Sequence, residues 1–199
     1  SLNSSIHIDT DCNGALDVEM LSAAENSCGI DIDGVVQCWG YDYWGQVSDA
    51  PSGISIQVSA GYYHACALDI DGHIQCWGDD GYGQVSDTPS GTFVHISAGA
   101  YHSCAIDGSG SVQCWGGDDY GEVSDTPSGT FVQVSAGTHH SCGIDNIGEI
   151  LCWGAGFQDS GSMPHYGQSN PPSGSFVQVS AGGFHSCGID VDGHIQCWG

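Results

Sequence analysis

Cysteine is the residue whose spacing points most directly to chemistry. The sequence repeats five times a cysteine, nine other residues and a second cysteine that is followed by Trp-Gly. Structural zinc sites use closer cysteine pairs, so this spacing favours disulfides, with metal-binding pairs or reduced, buried thiols as the alternatives. Because disulfides persist in oxidising compartments, they predict a secreted or cell-surface protein. The predicted disulfides are Cys28–Cys38, Cys66–Cys76, Cys104–Cys114, Cys142–Cys152 and Cys187–Cys197.

The N-terminal segment carries a second candidate, for calcium chemistry. Oxygen-bearing side chains are spaced along one loop, at Asp9, Asp11, Asn13 and Asp17. Calcium binds about 6–8 oxygen atoms, and Gly14 permits the sharp turn that such a loop needs. Met20 stands where an EF-hand supplies a bidentate glutamate. The segment therefore predicts a Ca²⁺ site, and the alternative is an acidic linker with a side-chain-to-backbone turn.

Two single residues of the same segment are candidates for covalent chemistry. Cys12 is the eleventh cysteine and has no mate at the repeat spacing, so we expect it to stay unpaired or to bond a second chain. Asn3 begins an Asn-Ser-Ser acceptor, which predicts N-glycosylation in a host that has the machinery.

A histidine recurs in the repeats, and its recurrence argues against catalysis. The residues are His64, His102, His140 and His185, with Asn26 in the first copy. A catalytic constellation normally occurs once, where a nucleophile, a base and an orienting group meet. We therefore expect these side chains to pack or to form hydrogen bonds between repeats, and we expect no enzyme. One feature is aperiodic, an insertion within residues 155–166, where a loop could carry binding function.

These residues belong to a regular repeat. Successive Cys-Trp-Gly segments are 38 residues apart three times and then 45 apart, a period typical of a propeller or solenoid. In every copy a glycine stands third in a loop after an aspartate, as Gly110 follows Asp107. This pattern predicts a β-hairpin whose turn needs a positive φ at the glycine.

Folding the third copy about that loop places Cys104 opposite Cys114. Directly opposed residues of antiparallel strands lie about 4.5 or 5.5 Å apart at Cα, within the roughly 4.4–6.8 Å that a disulfide spans. Both faces of the hairpin are moderately apolar, which favours a sheet held between two neighbours. Residues 132–136 predict a further strand, so we expect each unit to be a blade of three or four strands.

The repeats resemble those of the RCC1 family of β-propellers. The family pattern of Gly-x-x-His-x-x-Ala-Leu, Trp-Gly and Tyr-Gly-Gln is similar to residues 99–106, 76–78 and 82–84. The resemblance covers residues 21–199 and sets residues 1–20 apart as an acidic segment. It implies an all-β fold, a propeller or partial propeller of 38-residue blades. The short unit and the cysteine pairs look like secreted bacterial members, and the repeat length is similar to that of beta-lactamase inhibitory protein II.

The number of repeats raises a question of ring closure. The resemblance implies a seven-bladed propeller, whereas about five repeats are present here, of which the last is incomplete. We therefore expect either a piece of a longer polypeptide or an incomplete ring closed by the N-terminal segment or by a neighbour.

Charge excludes several classes of partner. The sequence has no lysine or arginine and 24 acidic residues, for a net charge of −24. Nucleic-acid binding depends on lysine and arginine displacing counterions from phosphates, so we expect no nucleic-acid partner. No apolar run approaches the roughly 20 residues that cross a bilayer, and we expect no direct membrane insertion. The negative electrostatic potential of such a surface favours solubility and cationic partners.

Together these features predict an extracellular, non-catalytic interaction or structural module whose partner is a protein. One version is a surface or filament component that self-assembles, and Cys12 supports it. The alternative is a soluble protein that binds or inhibits another protein, for which we expect aromatic side chains clustered on one rim. The third hypothesis is an enzyme.

Overall fold

The computed structural model describes the backbone of residues 18–23 and all atoms of residues 25–157 and 161–199. Every regular element in these ranges is a β-strand. The strands are β1 (Val18–Ala23), β2 (Asn26–Asp31), β3 (Val36–Gly40), β4 (Ser55–Ala60), β5 (His64–Asp69), β6 (Ile74–Gly78), β7 (Phe93–Ala98), β8 (His102–Asp107), β9 (Val112–Gly116), β10 (Phe131–Ala136), β11 (His140–Asp145), β12 (Ile150–Gly154), β13 (Phe176–Ala181), β14 (Ser186–Asp190) and β15 (Ile195–Trp198).

The described strands form five antiparallel sheets of three consecutive strands each, and every sheet is built round the predicted hairpin. In the third sheet, Asp107 Oδ1 accepts the backbone N–H groups of Ser109 (2.8 Å) and Ser111 (3.0 Å). Gly110 closes this turn with a φ of +88°, and the equivalent glycines have φ values between +81° and +89°. Only glycine adopts this conformation without strain, which explains its recurrence.

All five predicted disulfides are present. In each sheet the two cysteines lie opposite each other on the second and third strands, as Cys104 and Cys114 do on β8 and β9. Their Cα atoms are 4.0 or 4.1 Å apart, slightly closer than expected. The predicted hairpin register is therefore confirmed, and each bridge stays inside its own sheet.

The sheets pack face to face, as the blades of a propeller do. The first strand of each sheet contacts the first strands of its neighbours, so these strands lie nearest the centre. Between the first two sheets, Cys28 and Ile30 of β2 pack in one cluster with Val58 of β4 and Trp77 of β6. A sheet with a neighbour on both sides must bury both faces, which explains why neither face of the hairpin is cleanly polar. The predicted all-β propeller architecture is confirmed.

The recurring histidines form hydrogen bonds between neighbouring sheets. The Nε2 atoms of His64, His102 and His140 each lie 2.7 Å from a serine hydroxyl of the next sheet. The partners are Ser103, Ser141 and Ser186 in turn. Burial lowers the pKa of these three histidines to about 4, so the imidazoles are neutral at physiological pH. The Ser186 hydroxyl also lies 3.3 Å from the backbone carbonyl oxygen of Gln168.

The first interface departs from this pattern. Asn26 replaces the histidine, and Ala65 stands where the serine would be. The Asn26 side chain is fully buried, with its Nδ2 atom 3.8 Å from Cys28 Sγ. The histidine and the serine are thus both replaced at this interface. No serine hydroxyl is buried at position 65 without a histidine to bond.

The N-terminal segment overlaps the first sheet. Strand β1 begins at Val18, so the first sheet includes the last residues of the segment that the sequence analysis set apart. The predicted sites lie outside the described residues, and they are Asn3, Asp9, Asp11, Cys12, Asn13 and Asp17. The fifth sheet has three strands like the others. Among the residues described, the chain has no helix with the length and apolarity needed to cross a bilayer.

Candidate protein-binding surface

One end of the sheets carries a row of aromatic rings. At this end, the loop between the first and second strands of each sheet meets the segment that follows the third strand. In the third sheet the Gly117 N–H donates to Tyr101 O at 2.8 Å, and in the fourth the Ala155 N–H donates to His139 O at 2.7 Å. We call the rings on these loops in the second to fifth sheets the aromatic face, which comprises Tyr62, Tyr63, Tyr82, Tyr101, Tyr120, His139, His165, Tyr166 and Phe184.

The rings are in contact from one sheet to the next. Tyr101 is central, because its ring centroid lies 5.8 Å from Tyr63, 5.2 Å from Tyr82 and 5.5 Å from His139. His139 continues the row to Tyr120 at 5.1 Å. Burial, with a contribution from the neighbouring Tyr63, raises the pKa of Tyr101, which keeps its hydroxyl protonated. The row therefore presents amphipathic rings across the second, third and fourth sheets.

Most aspartates beside this row organise their own loops. Asp80 Oδ1 accepts the backbone N–H groups of Val85 and Ser86, both at 2.9 Å. These bonds, with Ser86 first, lower the pKa of Asp80. Asp42 and Asp118 accept equivalent pairs of N–H groups in their own repeats. Such carboxylates have a structural role, and the loops that they hold set the positions of the rings.

One repeat departs from the others at this end. A buried glutamine recurs at positions 46, 84 and 168, but position 122 is a glutamate. Glu122 Oε2 accepts the Tyr120 N–H at 2.8 Å, the bond that the glutamine oxygen makes elsewhere. Its Oε1 lies 3.5 Å from His139 Nδ1. Glu122 is 2% exposed, so this carboxylate is buried beneath the aromatic face.

The repeat units and their fold agree with those of known proteins. The sequence profile of the Regulator of chromosome condensation (RCC1) repeat matches residues 56–84, 93–122, 131–160 and 176–199, which together make up more than half of the chain. The chain belongs to the RCC1-repeat family. No curated protein sequence matches it at a significant level.

Solved RCC1-like propellers are similar to this chain over most of its length. The ectodomain of the receptor kinase CR4 from Physcomitrella patens is 27% identical with a TM-score of 0.74, over 92% of this chain and 51% of that one. The ectodomain of the Arabidopsis thaliana receptor kinase ACR4 is 28% identical with a TM-score of 0.71, over 90% and 64%. Yeast RCC1 (Prp20) is 18% identical with a TM-score of 0.73, over 92% and 56%, and this likeness shows the fold alone. The chain thus spans between half and two thirds of these proteins.

The aperiodic insertion of the fourth RCC1 repeat adds to the aromatic face. Its described part places the His165 ring 5.8 Å from Tyr120, in an edge-on contact. The Gly156 N–H donates to His165 Nδ1 at 3.1 Å, and Ser162 pairs with His165 in an isolated bridge. The insertion therefore extends the row of rings beyond the fourth sheet.

The opposite end of the sheets, formed by the hairpin turns, has a different character. Exposed aliphatic side chains stand there beside the turn aspartates, as Ile70 and Ile147 do. In the last turn, ligand atoms of Asp190, Asp192 and His194 lie within 4.8 Å of one another. Asp190 accepts the backbone N–H groups of Asp192 and His194, as the first aspartate of the other hairpin turns does. The three side chains are therefore close together because of the turn.

The aromatic face was not predicted from the sequence, although its positions recur there. Most of its rings stand directly before the recurring histidine, as Tyr63 and Tyr101 do, or directly before Gly-Gln or Gly-Glu, as Tyr82 and Tyr120 do. The two positions are about half a repeat apart in sequence, and they meet only because the loops on either side of a blade share one end. Glu122 was also missed, because its departure from glutamine is a single residue.

Proposed function

We propose that this chain is an extracellular, non-catalytic protein-binding module whose partner binds the aromatic face. The observation that carries the proposal is the row of contacting rings from Tyr62 to His165. Tyrosine is enriched at binding hot spots, because it supplies a large contact area with few rotatable bonds to immobilise. Clustering on one end is also the feature that the sequence analysis expected of a protein binder.

The charge of the chain supports a partner with a positive surface. The sequence has 24 acidic residues and no lysine or arginine, so few of these charges can be neutralised within the chain. Complementary charge raises the association rate and selects against acidic partners. Five disulfides and the likeness to receptor-kinase ectodomains support an extracellular site of action.

The structure of the sheet interfaces supports a module without catalysis. The recurring histidines His64, His102 and His140 are fully buried, and each is engaged by a serine of the next sheet. A side chain that substrate cannot reach cannot transfer a proton to it. These histidines therefore hold sheets together, and the exposed rings remain for recognition.

Capture of partners with matched variants tests the proposal. The wild-type chain is immobilised and exposed to the extracellular medium of its source, and retained proteins are identified by mass spectrometry. We expect Tyr101→Ala/Tyr120→Ala to lose the retained protein. The control is Ile70→Ala/Ile147→Ala, which removes exposed apolar groups at the hairpin end and should retain it. Equal retention by both variants would show that the aromatic face is not the binding surface.

Self-assembly is a second candidate, supported by the outer face of the fifth sheet. Ile150 of the fourth sheet is 8% exposed where the fifth sheet covers it, whereas Ile195, at the same repeat position of the fifth sheet, is 71% exposed. His185 is exposed there, while Ser27 of the first sheet occupies the position of the serines that receive such histidines. These groups favour a head-to-tail contact in which the fifth sheet of one copy packs on the first sheet of another.

Light scattering at increasing protein concentration tests this second candidate. Head-to-tail contacts should give a molar mass that rises with concentration, and Ile195→Asp should abolish the rise. Ile70→Asp is the matched control, because it places the same charge at an equally exposed isoleucine of the hairpin end. A constant monomer mass in the wild-type chain would exclude self-assembly through these faces.

A further inference from the structure

A small cavity opens on the aromatic face between the third and fourth sheets. It has a volume of 120 Å³, and its lining residues are Tyr82, Tyr101, Gly117, Asp119, Glu122 and His139. A cavity of this size holds several water-sized groups. Two carboxylates and three aromatic rings thus converge on a space suited to the end of one side chain.

Glu122 gives this cavity a charge that the fold does not require. The buried bond to the N–H two residues earlier is made by a neutral glutamine in other repeats, as Gln84 bonds Tyr82. A buried carboxylate is costly unless a charge or hydrogen bonds compensate it. The chain contains no lysine or arginine, and His139 is the ion-pair partner found among the described residues. A cation from outside the chain would complete this site.

Gly117 keeps the cavity open. The equivalent residue of the second repeat is Asp79, whose carboxylate accepts a hydrogen bond from Gln84 Nε2 at 3.1 Å. Gly117 does not have a positive φ, so its backbone does not require glycine. A Cβ atom at this position would lie 3.1 Å from Tyr101 O and 3.2 Å from Tyr101 Cβ. The third repeat thus has Gly117 where the second has Asp79, and Glu122 where the second has Gln84. The cavity occupies the space next to Gly117 and Glu122.

The aromatic walls suit a cation as well as the carboxylates do. The rings of Tyr82 and Tyr101 meet at 64° with centroids 5.2 Å apart, and the His139 ring stacks on Tyr101 at 5.5 Å. An ammonium or guanidinium group near tyrosine rings is attracted by their quadrupoles, and guanidinium more often takes this position. Arginine in addition offers several donors to carboxylates in a fixed planar arrangement.

We propose that this cavity binds the cationic end of an arginine or lysine side chain of a protein partner. The carboxylates of Glu122 and Asp119 accept its N–H groups, and the tyrosine rings enclose its apolar stem. The proposal rests on the proposed function, since such a side chain belongs to a protein bound on the aromatic face. The cavity proposal and the proposed function can be tested independently. A small cationic probe tests the cavity without any partner, and partner capture does not require the cavity.

The probe is N-acetyl-L-argininamide, titrated at mildly alkaline pH, where histidine is neutral. Its neutral counterpart is N-acetyl-L-citrullinamide, which has nearly the same shape. Binding is followed by NMR of the tyrosine and histidine ring signals. We expect saturable shifts at His139, Tyr82 and Tyr101 with the arginine compound and none with the citrulline compound.

Two variants that remove the same charge separate this site from the general field. Glu122→Gln restores the residue of three other repeats, so we expect it to fold, with a melting curve as the check. It should weaken binding of the arginine compound by about tenfold or more. Asp192→Asn, at the hairpin end, should leave binding almost unchanged. The proposal would be overturned if the arginine compound gave no saturable shifts or if both compounds gave equal shifts. Equal weakening of binding by both variants would also overturn it.

Discussion

The sheet interfaces and the aromatic face follow opposite rules. Along the interfaces the repeats are nearly identical, since His64, His102 and His140 each reach a serine at the same 2.7 Å distance. On the aromatic face the repeats diverge, and Glu122 and His139 each occur in one copy of their position. The comparison indicates that repetition maintains the stability of the propeller, whereas departures from it mark the surface that recognises a partner.

Loss of the disulfides should have the largest effect on the stability of the repeated framework. Each bridge closes a loop with a sequence separation of 10 residues. The chain-entropy treatment gives slightly less than about 3 kcal/mol for such a loop. Reduction of all five bridges should therefore remove an amount comparable with the total stability of a domain, about 5–15 kcal/mol, and unfold the chain. Circular dichroism with and without reductant measures this, and an unchanged melting curve after full reduction would contradict it.

Acid should be the next largest perturbation of the interfaces. The pKa of His102 falls from 6.5 to about 4 on folding, and those of His64 and His140 fall likewise. Between these pH values the unfolded chain binds protons that the folded chain excludes, so stability is full above pH 6.5 and declines as the pH falls towards 4. Each histidine should contribute about 3 kcal/mol to the decline.

Denaturant unfolding at a series of pH values measures this dependence. Burial also lowers the pKa of His95 to about 4, so replacing one of the three interface histidines by asparagine should flatten the slope between pH 6.5 and 4 by about one quarter. Stability that is constant, or that increases, as the pH falls through this window would contradict the assignment of neutral imidazoles to the interfaces.

A smaller effect should come from giving one interface the residue pair of the first interface. Ser141→Ala leaves the buried His102 without its hydroxyl partner and should cost about 1–3 kcal/mol. Adding His102→Asn reproduces the pair of Asn26 and Ala65, so the double variant should cost less than the sum of the single ones. A double-mutant cycle in urea measures the coupling, and strict additivity would show that the two side chains are independent.

Calcium should have the smallest effect, and it tests the N-terminal segment. Millimolar calcium should raise the melting temperature, because a ligand that binds only the folded state stabilises it. Asp11→Ala/Asp17→Ala should remove the rise, whereas Asp192→Ala, in the turn of the fifth sheet, should retain it. An equal response in all three proteins would assign the effect to general screening of the acidic charge.

The interfaces were largely predictable from the sequence, because local rules determine them. The loop from Asp107 to Ser111 sets the hairpin register, and that register alone pairs Cys104 with Cys114. The recurrence of the histidine likewise indicated a role between repeats, which three interfaces have. Its partner was not predicted, because the serine lies in the next repeat and comes into contact only when the sheets stack.

The aromatic face was not predictable in the same way. Tyr82 and Tyr101 belong to loops of different sheets, and no local pattern states that they meet. Glu122 resembles one more surface acid among 24 until its burial is known. A propeller brings such residues together through the order of its sheets, so the binding surface follows from tertiary structure and the interfaces from the repeat.

Hydrogen exchange in the complex with a captured partner tests the central claim most directly. Peptic peptides from the loops at residues 61–63, 99–101, 117–122 and 137–139 should gain protection when the partner binds. Peptides from the hairpin turns at residues 31–34, 69–72, 107–110 and 145–148 should exchange as they do in the free chain. Protection confined to the hairpin turns, or to the outer face of the fifth sheet, would contradict the assignment of recognition to the aromatic face.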